Sequence, residues 1–341
     1  MTRKKYCLIF LLNLYLFSLF SEQVELNDLL KEMKAKMVWN PVTETGIIEF
    51  NRNKLVFKLG APWVLLNYRE LIPTSGISRG KGTLLFPEDT VEKIKSAVYQ
   101  EKISSPRVAV ILIDPGHGGK DPGAIGTYKI DGKTVRINEK DIVLKAGLIL
   151  QQMLSAKYPD KRITISRSDD TYLKLEERTD LANNIDLEEQ EAIVFISIHA
   201  NASFNKKSKG FEVWYLPPEY RRDLLNSDSV EEENKEIMPI LNIMLEEEYT
   251  IESVILAKEI IKGFEEEVGG ITENRGIKEQ SWFVVRKAYM PSVLVELGFV
   301  TNREEAMLLQ DQGYLQRLIR GMYNGLCRFI NDFENTKGFT E

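Results

Sequence analysis

Two apolar runs, Val108 to Ile113 and Ala192 to Ile198, lead to the only two histidines of the chain. His117 follows the first run across Asp114-Pro115-Gly116, and His199 follows the second directly. An unbroken apolar run of this length, closed by turn residues, reads as a buried strand ending in a loop. Each histidine is therefore expected at a strand end.

The segments between the runs set the fold class. After His117, Asn138 is expected to cap a helix with Asp141 three residues on, a variant of the capping box. Ile142, Val143, Ala146, Ile149, Leu150, Met153 and Leu154 then keep helical spacing until Pro159, which puts Glu139 in the first turn. Arg162 to Ser166 reads as a strand, and Leu175 to Ile185 as a short helix with Glu176, Arg178 and Asp180 on its polar side. GFEVWYL, opened by Gly210, is a further strand. A long helix from Ser253 to Glu267, a loop from Gly269 to Gly276, strands at Trp282 to Val285 and Val293 to Leu297, and a last helix from Glu304 to Phe333 complete the expectation. Strands alternating with helices imply an α/β fold, a mostly parallel twisted sheet flanked by helices over 107–333. Chemistry in such sheets gathers at the carboxyl ends of the strands, where both histidines fall.

Val24 to Tyr99 is different in character. Leu26, Leu29, Leu30 and Met33 open with helical spacing, and strand-like pieces follow at Gly46 to Phe50, Lys54 to Leu59 and Val64 to Leu66. This predicts a small N-terminal α+β module over 24–100, followed by a polar link from Gln100 to Pro106. VWNPVTETGIIEF, NKLVFKLGAPWVLLN and GTLLFPEDTVEKI resemble the small β-rich repeat domain first named from the amino-terminal part of copper amine oxidases. The resemblance implies no copper here, because the segment holds no histidine and no cysteine of the mature chain. A spacer or a protein-binding role suits it.

Arg3, Lys4 and Lys5 before the apolar run Tyr6 to Phe20 have the outline of a signal peptide over 1–21, with a retained anchor as the alternative. Export to the periplasm or cell envelope is the expectation. Cys7 would leave with the leader, and Cys327 alone cannot form an internal disulfide. The formal charge of −6 becomes three units more negative without the leader's basic residues, which disfavours nucleic acid as a partner.

His117, Glu139 and His199 together supply two imidazoles and a carboxylate, the donor set of several catalytic zinc sites. Intervals of 22 and 60 positions are not a local metal motif, so the fold must bring the donors together. Structural histidines and a helix-dipole carboxylate are the competing readings. Glu296 lies inside the apolar run Val293 to Leu297. A buried carboxylate requires a metal, a cationic partner such as Arg275 or Arg286, or a raised pKa, the last of which suits a general acid/base.

IDPGHGGKDPGAIG, NEKDIVLKAGLIL, SRSDDTYLKLEERTDLAN, FISIHANAS, GFEVWYL and NRGIKEQSWFVVRKAYMPSVLVELGFVTN resemble, in order, the zinc-dependent N-acetylmuramoyl-L-alanine amidases of bacterial cell-wall turnover, over Val108 to Ile330. The resemblance implies a phosphorylase/hydrolase-like amidase domain and one zinc ion per chain held by His117, Glu139 and His199, with Glu296 as the catalytic carboxylate. It implies peptidoglycan as the substrate, cleaved between N-acetylmuramic acid and L-alanine in cell-wall remodelling or daughter-cell separation. Asn201 and Arg286 stand as supporting or substrate-facing residues. A zinc peptidase acting on the stem peptide and a catalytically silent peptidoglycan-binding protein are the rival functions.

Residues 217–252 form an acidic insertion: Glu219 to Glu252 holds eleven acidic and three basic residues. Ile237, Ile240, Leu241, Met244 and Leu245 make an apolar stripe, with Pro239 in the first turn. EENKEIMPILNIMLEEEYTIES resembles the helical segment that covers the zinc of some cell-division amidases until a protein activator moves it. Glu246, Glu247 or Glu248 would then fill the open metal position; a solvated acidic helix is the alternative.

Overall fold

The computed structural model describes residues 23–51, 53–68, 70–80, 82–101, 106–188, 190–220, 222–224, 238–336 and 338–339. The leader with Cys7, and residues 225–237 of the insertion with Ile237, lie outside the described residues. The chain divides into two compact units, one before Ser105 and one from Ser105 to Thr340.

In the first unit, β1 (Gln23–Glu25), α1 (Leu26–Glu32), β2 (Lys36–Asn40), β3 (Thr45–Phe50), β4 (Asn53–Lys58), β5 (Trp63–Leu66), β6 (Glu70–Pro73), β7 (Ser78–Gly80), β8 (Thr83–Pro87) and α2 (Glu88–Glu101) follow one another. Strands β2 to β6 form an antiparallel meander, and β1, β8 and β7 a second small sheet. Alternation in β3 buries Ile48 and Phe50 while Glu49 stays exposed, as a half-buried strand requires. Ile48, Phe57 and Phe86 close a core of their own with Leu29.

The second unit is a six-stranded sheet, ordered β12-β9-β13-β16-β14-β15. Its elements are β9 (Arg107–Pro115), the hairpin β10 (Ile125–Ile130) and β11 (Lys133–Asn138), α3 (Glu139–Lys157), β12 (Arg162–Ile165), α4 (Leu175–Asn183), β13 (Glu191–Asn201) and β14 (Phe211–Tyr215). Then come α5 (Met238–Val268), β15 (Asn274–Glu279), α6 (Phe283–Lys287), β16 (Ser292–Phe299), α7 (Arg303–Gln310) and α8 (Gln312–Thr336). Strands β12, β9, β13 and β16 are parallel, while β14 runs antiparallel to β16. Helices α3, α5 and α8 cover one face, over Ile111, Ile196 and Val295; Leu112, Phe195 and Leu294 pack on the other with residues of α4 and α6. Cover on both faces is why β9 and β13 are apolar without alternation. Helices α5 and α8 touch backbone to backbone: a Cβ on Gly263 would lie 2.0 Å from the Gly321 carbonyl oxygen.

Six sequence expectations are corrected. Trp282 to Val285 is no strand: Phe283–Lys287 is a helical turn closed by Arg286 N–H to Trp282 O, a case where a short apolar run fits either element. The insertion helix and the following long helix are one, Met238–Val268, since no helix breaker lies between Met244 and Ser253. The last helix is two, because Asp311 turns extended and accepts the Tyr314 N–H, capping α8. Asn138 sits at the N-cap of α3, but its side-chain amide donates to Asp141 instead of accepting from the helix. Arg178 is buried, not on a solvated face. The expected loop from Gly269 to Gly276 also gives way to β15 at Asn274. Among the described residues no helix is long and apolar enough to cross a membrane.

Candidate metal centre and active site

The loop after β9 is pinned from beneath. Asp114 is fully buried and accepts from Arg178 Nη1 at 2.7 Å, Ser166 Oγ at 2.6 Å and Ser197 Oγ at 2.9 Å. Arg178 also donates to the carbonyls of Pro115 and His117, and Arg167 to those of Pro115, Gly116 and Lys140. Two buried guanidiniums thus hold three successive carbonyls and fix His117 in a left-handed conformation, φ 59°. That backbone costs on the order of 1 kcal/mol and persists only where its surroundings enforce it. Gly116 gives His199 its place, since a Cβ there would sit 2.3 Å from the imidazole.

The three donors predicted from sequence meet. His117 Nε2 lies 3.2 Å and His199 Nδ1 2.9 Å from the same oxygen, Glu139 Oε1, and the three ligand atoms fall within 4.8 Å of one another. Glu139 starts α3, where the Ala200 N–H bonds Oε1 and the Ala124 N–H bonds Oε2. Burial would raise its pKa, but hydrogen bonds from His117 and His199 outweigh that and hold the carboxyl far below its usual range. For His117, burial lowers the pKa, and the carboxylates of Glu139 and Asp121 reverse this to leave it raised. Asp121 Oδ2 is 2.8 Å from His117 Nδ1, which turns Nε2 toward Glu139.

These residues fit a zinc ion. Tetrahedral zinc with bonds near 2.0–2.1 Å needs donors about 3.3 Å apart, close to the observed spacings. An outer carboxylate on one imidazole, as Asp121 provides, is the usual support for such a ligand.

Glu296 lies one strand away, in register with His199 on β13 and with Glu212 on β14. Its Oε2 is buried without a hydrogen-bond partner. Desolvation first, then the carboxylates of Glu139 and Glu212, push its pKa well above the ordinary value. The alternative of an ion pair is not realised: Arg275 is engaged by Glu212, and Arg286 lies between the rings of Tyr220 and Phe283. Asn201 donates to Glu212 at 2.7 Å, so it supports the row next to Glu296.

None of Glu246, Glu247 and Glu248 belongs to the metal cluster found among the described residues. Glu246 Oε1 accepts from Arg222 Nε at 2.6 Å, Glu247 is exposed, and Glu248 is buried. Asp121, Asp114 and Glu212 were not singled out in the sequence, and Arg178 was expected only on the polar side of its helix. Asp114 offered a signal of the same kind as Glu296, a carboxylate directly at the end of an apolar run.

Comparison with known proteins decides the family. The model of the N-acetylmuramoyl-L-alanine amidase family matches residues 111–328. The chain belongs to this amidase family. Its members hydrolyse the amide bond that joins N-acetylmuramic acid to L-alanine in peptidoglycan. The chain is 31% identical over 244 residues to the probable amidase AmiB of Haemophilus influenzae, covering 66% of this chain and 53% of that protein. It is thus similar to about half of that relative's length. It is 29% identical over 221 residues to the sporulation-specific amidase of Bacillus subtilis, covering 65% of this chain and 68% of the relative. With the amidase AmiA of Escherichia coli the identity is 28% over 246 residues, covering 68% and 80%. The crystal structure of an amidase from Clostridium difficile 630 aligns at 28% identity and a TM-score of 0.48, covering 67% of this chain and 98% of that one. The amidase family match includes every residue of the candidate centre.

Proposed function

We propose that this amidase uses one zinc ion, held by His117, Glu139 and His199, with Glu296 as the proton carrier, to cleave the bond between the lactyl group of N-acetylmuramic acid and L-alanine. One observation carries the reading: a three-donor cluster stands beside a buried carboxylate oxygen that has no partner. Zinc, when bound, polarises a carbonyl oxygen and lowers the pKa of water toward ~7. Glu296 receives the proton of the attacking water and returns it to the departing amine, the work for which a raised carboxyl pKa is suited. Asp121 and the backbone N–H groups of Ala124 and Ala200 hold the ligands in place, so little rearrangement is needed when the metal enters.

The substrate lies outside the cytoplasmic membrane, which agrees with a leader over 1–21 and an exported protein. We place the contact of any protein activator on the insertion, because Arg222 ties Glu246 to the Ala288 carbonyl just after α6. Basal activity of Glu246→Gln checks this: an increase supports a restraining role, and no change removes it.

Mass spectrometry of peptidoglycan digested by the zinc-loaded protein tests the reaction. Free stem peptides beginning with L-alanine are expected. Shortened peptides would indicate a peptidase, and no release a binding protein.

A further inference from the structure

The sheet face that carries His199 and Glu296 continues outward across β14 and β15. Glu212 is in register with Glu296, Trp214 with Leu294, and Lys278 with Trp214. Glu212 is buried and saturated by four donors. Asn201 Nδ2 at 2.7 Å and Trp214 Nε1 at 3.2 Å bond Oε1, while Arg275 Nε at 2.6 Å and Lys278 Nζ at 2.5 Å bond Oε2. Two cations on one carboxylate leave a positive charge over, and their side chains stay 28% and 30% accessible.

Beyond them Trp214 meets Trp282 edge to face at 6.1 Å, and Trp282 is 42% exposed. One turn along α6, Arg286 lies over the Tyr220 ring at 5.7 Å and the Phe283 ring at 5.6 Å. Among the described residues only two buried side-chain nitrogen or oxygen atoms lack a partner: Glu296 Oε2 and Arg286 Nε. Two such orphans are an unusual cost for a fold to carry unless a ligand satisfies them.

Cations in excess of acids, beside an exposed indole, fit a carboxylate on a short apolar backbone. In the intact substrate the lactyl carboxyl is consumed in the scissile amide, so the remaining carboxylates belong to the stem peptide and not to the glycan at that point.

We propose that Lys278, Trp282 and Arg286 form a subsite, next to Glu296, for the carboxylate of the stem-peptide residue that follows L-alanine. This rests on the amidase reading. The peptide then leads away from the metal along β14 and β15.

The test uses the full-length zinc-loaded protein on disaccharide muropeptides whose second stem residue is either D-glutamate, with a free α-carboxylate, or D-isoglutamine, its carboxamide. Wild type is expected to favour the carboxylate by about tenfold in kcat/KM, the scale of one charge-assisted hydrogen bond. Lys278→Gln, which can still donate to Glu212, should remove most of that preference. Arg286→Met should reduce it too, and it decides the matter if Lys278→Gln does not fold. Trp282→Ala should raise KM for both substrates with kcat retained. Release by wild type with equal rates on the two substrates, or an unchanged preference in the folded Lys278 and Arg286 variants, overturns the subsite alone. No release from either substrate overturns the amidase reading and the subsite with it.

Discussion

Two imidazoles and two backbone N–H groups meet the oxygens of Glu139 and hold its pKa low although it is buried, whereas Oε2 of Glu296 has no partner. The same residue type is thereby divided between the two roles we propose, a ligand and a proton carrier. Asp121 acts one bond further out. Asp121→Ala should weaken zinc binding by roughly 10–100-fold, measured by competition with a chromogenic chelator, because the His117 ring loses its orienting partner. Protons compete for the same nitrogen. Since the pKa of His117 is raised, its imidazole is protonated at low pH, so zinc affinity should be full above that pKa and fall as pH drops through it. A pH-independent affinity across the acid range would contradict the assignment of His117. Both histidines and Glu296 were legible in the sequence because the histidines follow apolar runs and Glu296 interrupts one, while Glu139 was separated from an ordinary first-turn carboxylate only by family resemblance. Arg178 was misread, since helical spacing shows which side of α4 is polar but not that Asp114 waits beneath it.

At the scale of elements, local spacing identified β9, α3, β12 and β13, whose apolar patterns are long and bounded. It failed at α6, where five residues carry too little periodicity, and at the junction in α5, where an acidic composition suggested a separate segment. The triplet Glu246 to Glu248 read as a solvated or metal-seeking stretch, yet two of its members are buried within a continuous helix. Arg222 explains Glu246: its guanidinium bonds that carboxylate and the Ala288 carbonyl, and Asn242 bonds the Arg222 and Leu224 backbone. Breaking a buried ion pair from one side costs about 3–5 kcal/mol. Glu246→Ala should therefore lower the unfolding free energy by about 3 kcal/mol, the lower end of that range given the remaining bond to Ala288, and be read as a lower denaturant midpoint. A midpoint within error of wild type would mean the pair is not buried in solution.

The molecule as a whole has two cores that share no residue, one around Phe57 and Phe86 and one around the six-stranded sheet. A protein comprising 105–341 alone is expected to fold, bind zinc and cleave muropeptides at close to the full-length rate; loss of folding would show that the first unit is needed for more than its own stability. Zinc that binds only the folded state must also raise the thermal midpoint of the second unit, and chelation must lower it.

The central claim is that Glu296 moves the proton while three other residues hold the metal. It is tested most directly by the rate of stem-peptide release from Glu296→Gln at measured zinc content. The account predicts one zinc per chain, as in wild type, with release slowed on the order of 10²–10⁴-fold. Release at the wild-type rate with zinc in place, or a loss of activity traced to loss of the metal, would contradict it.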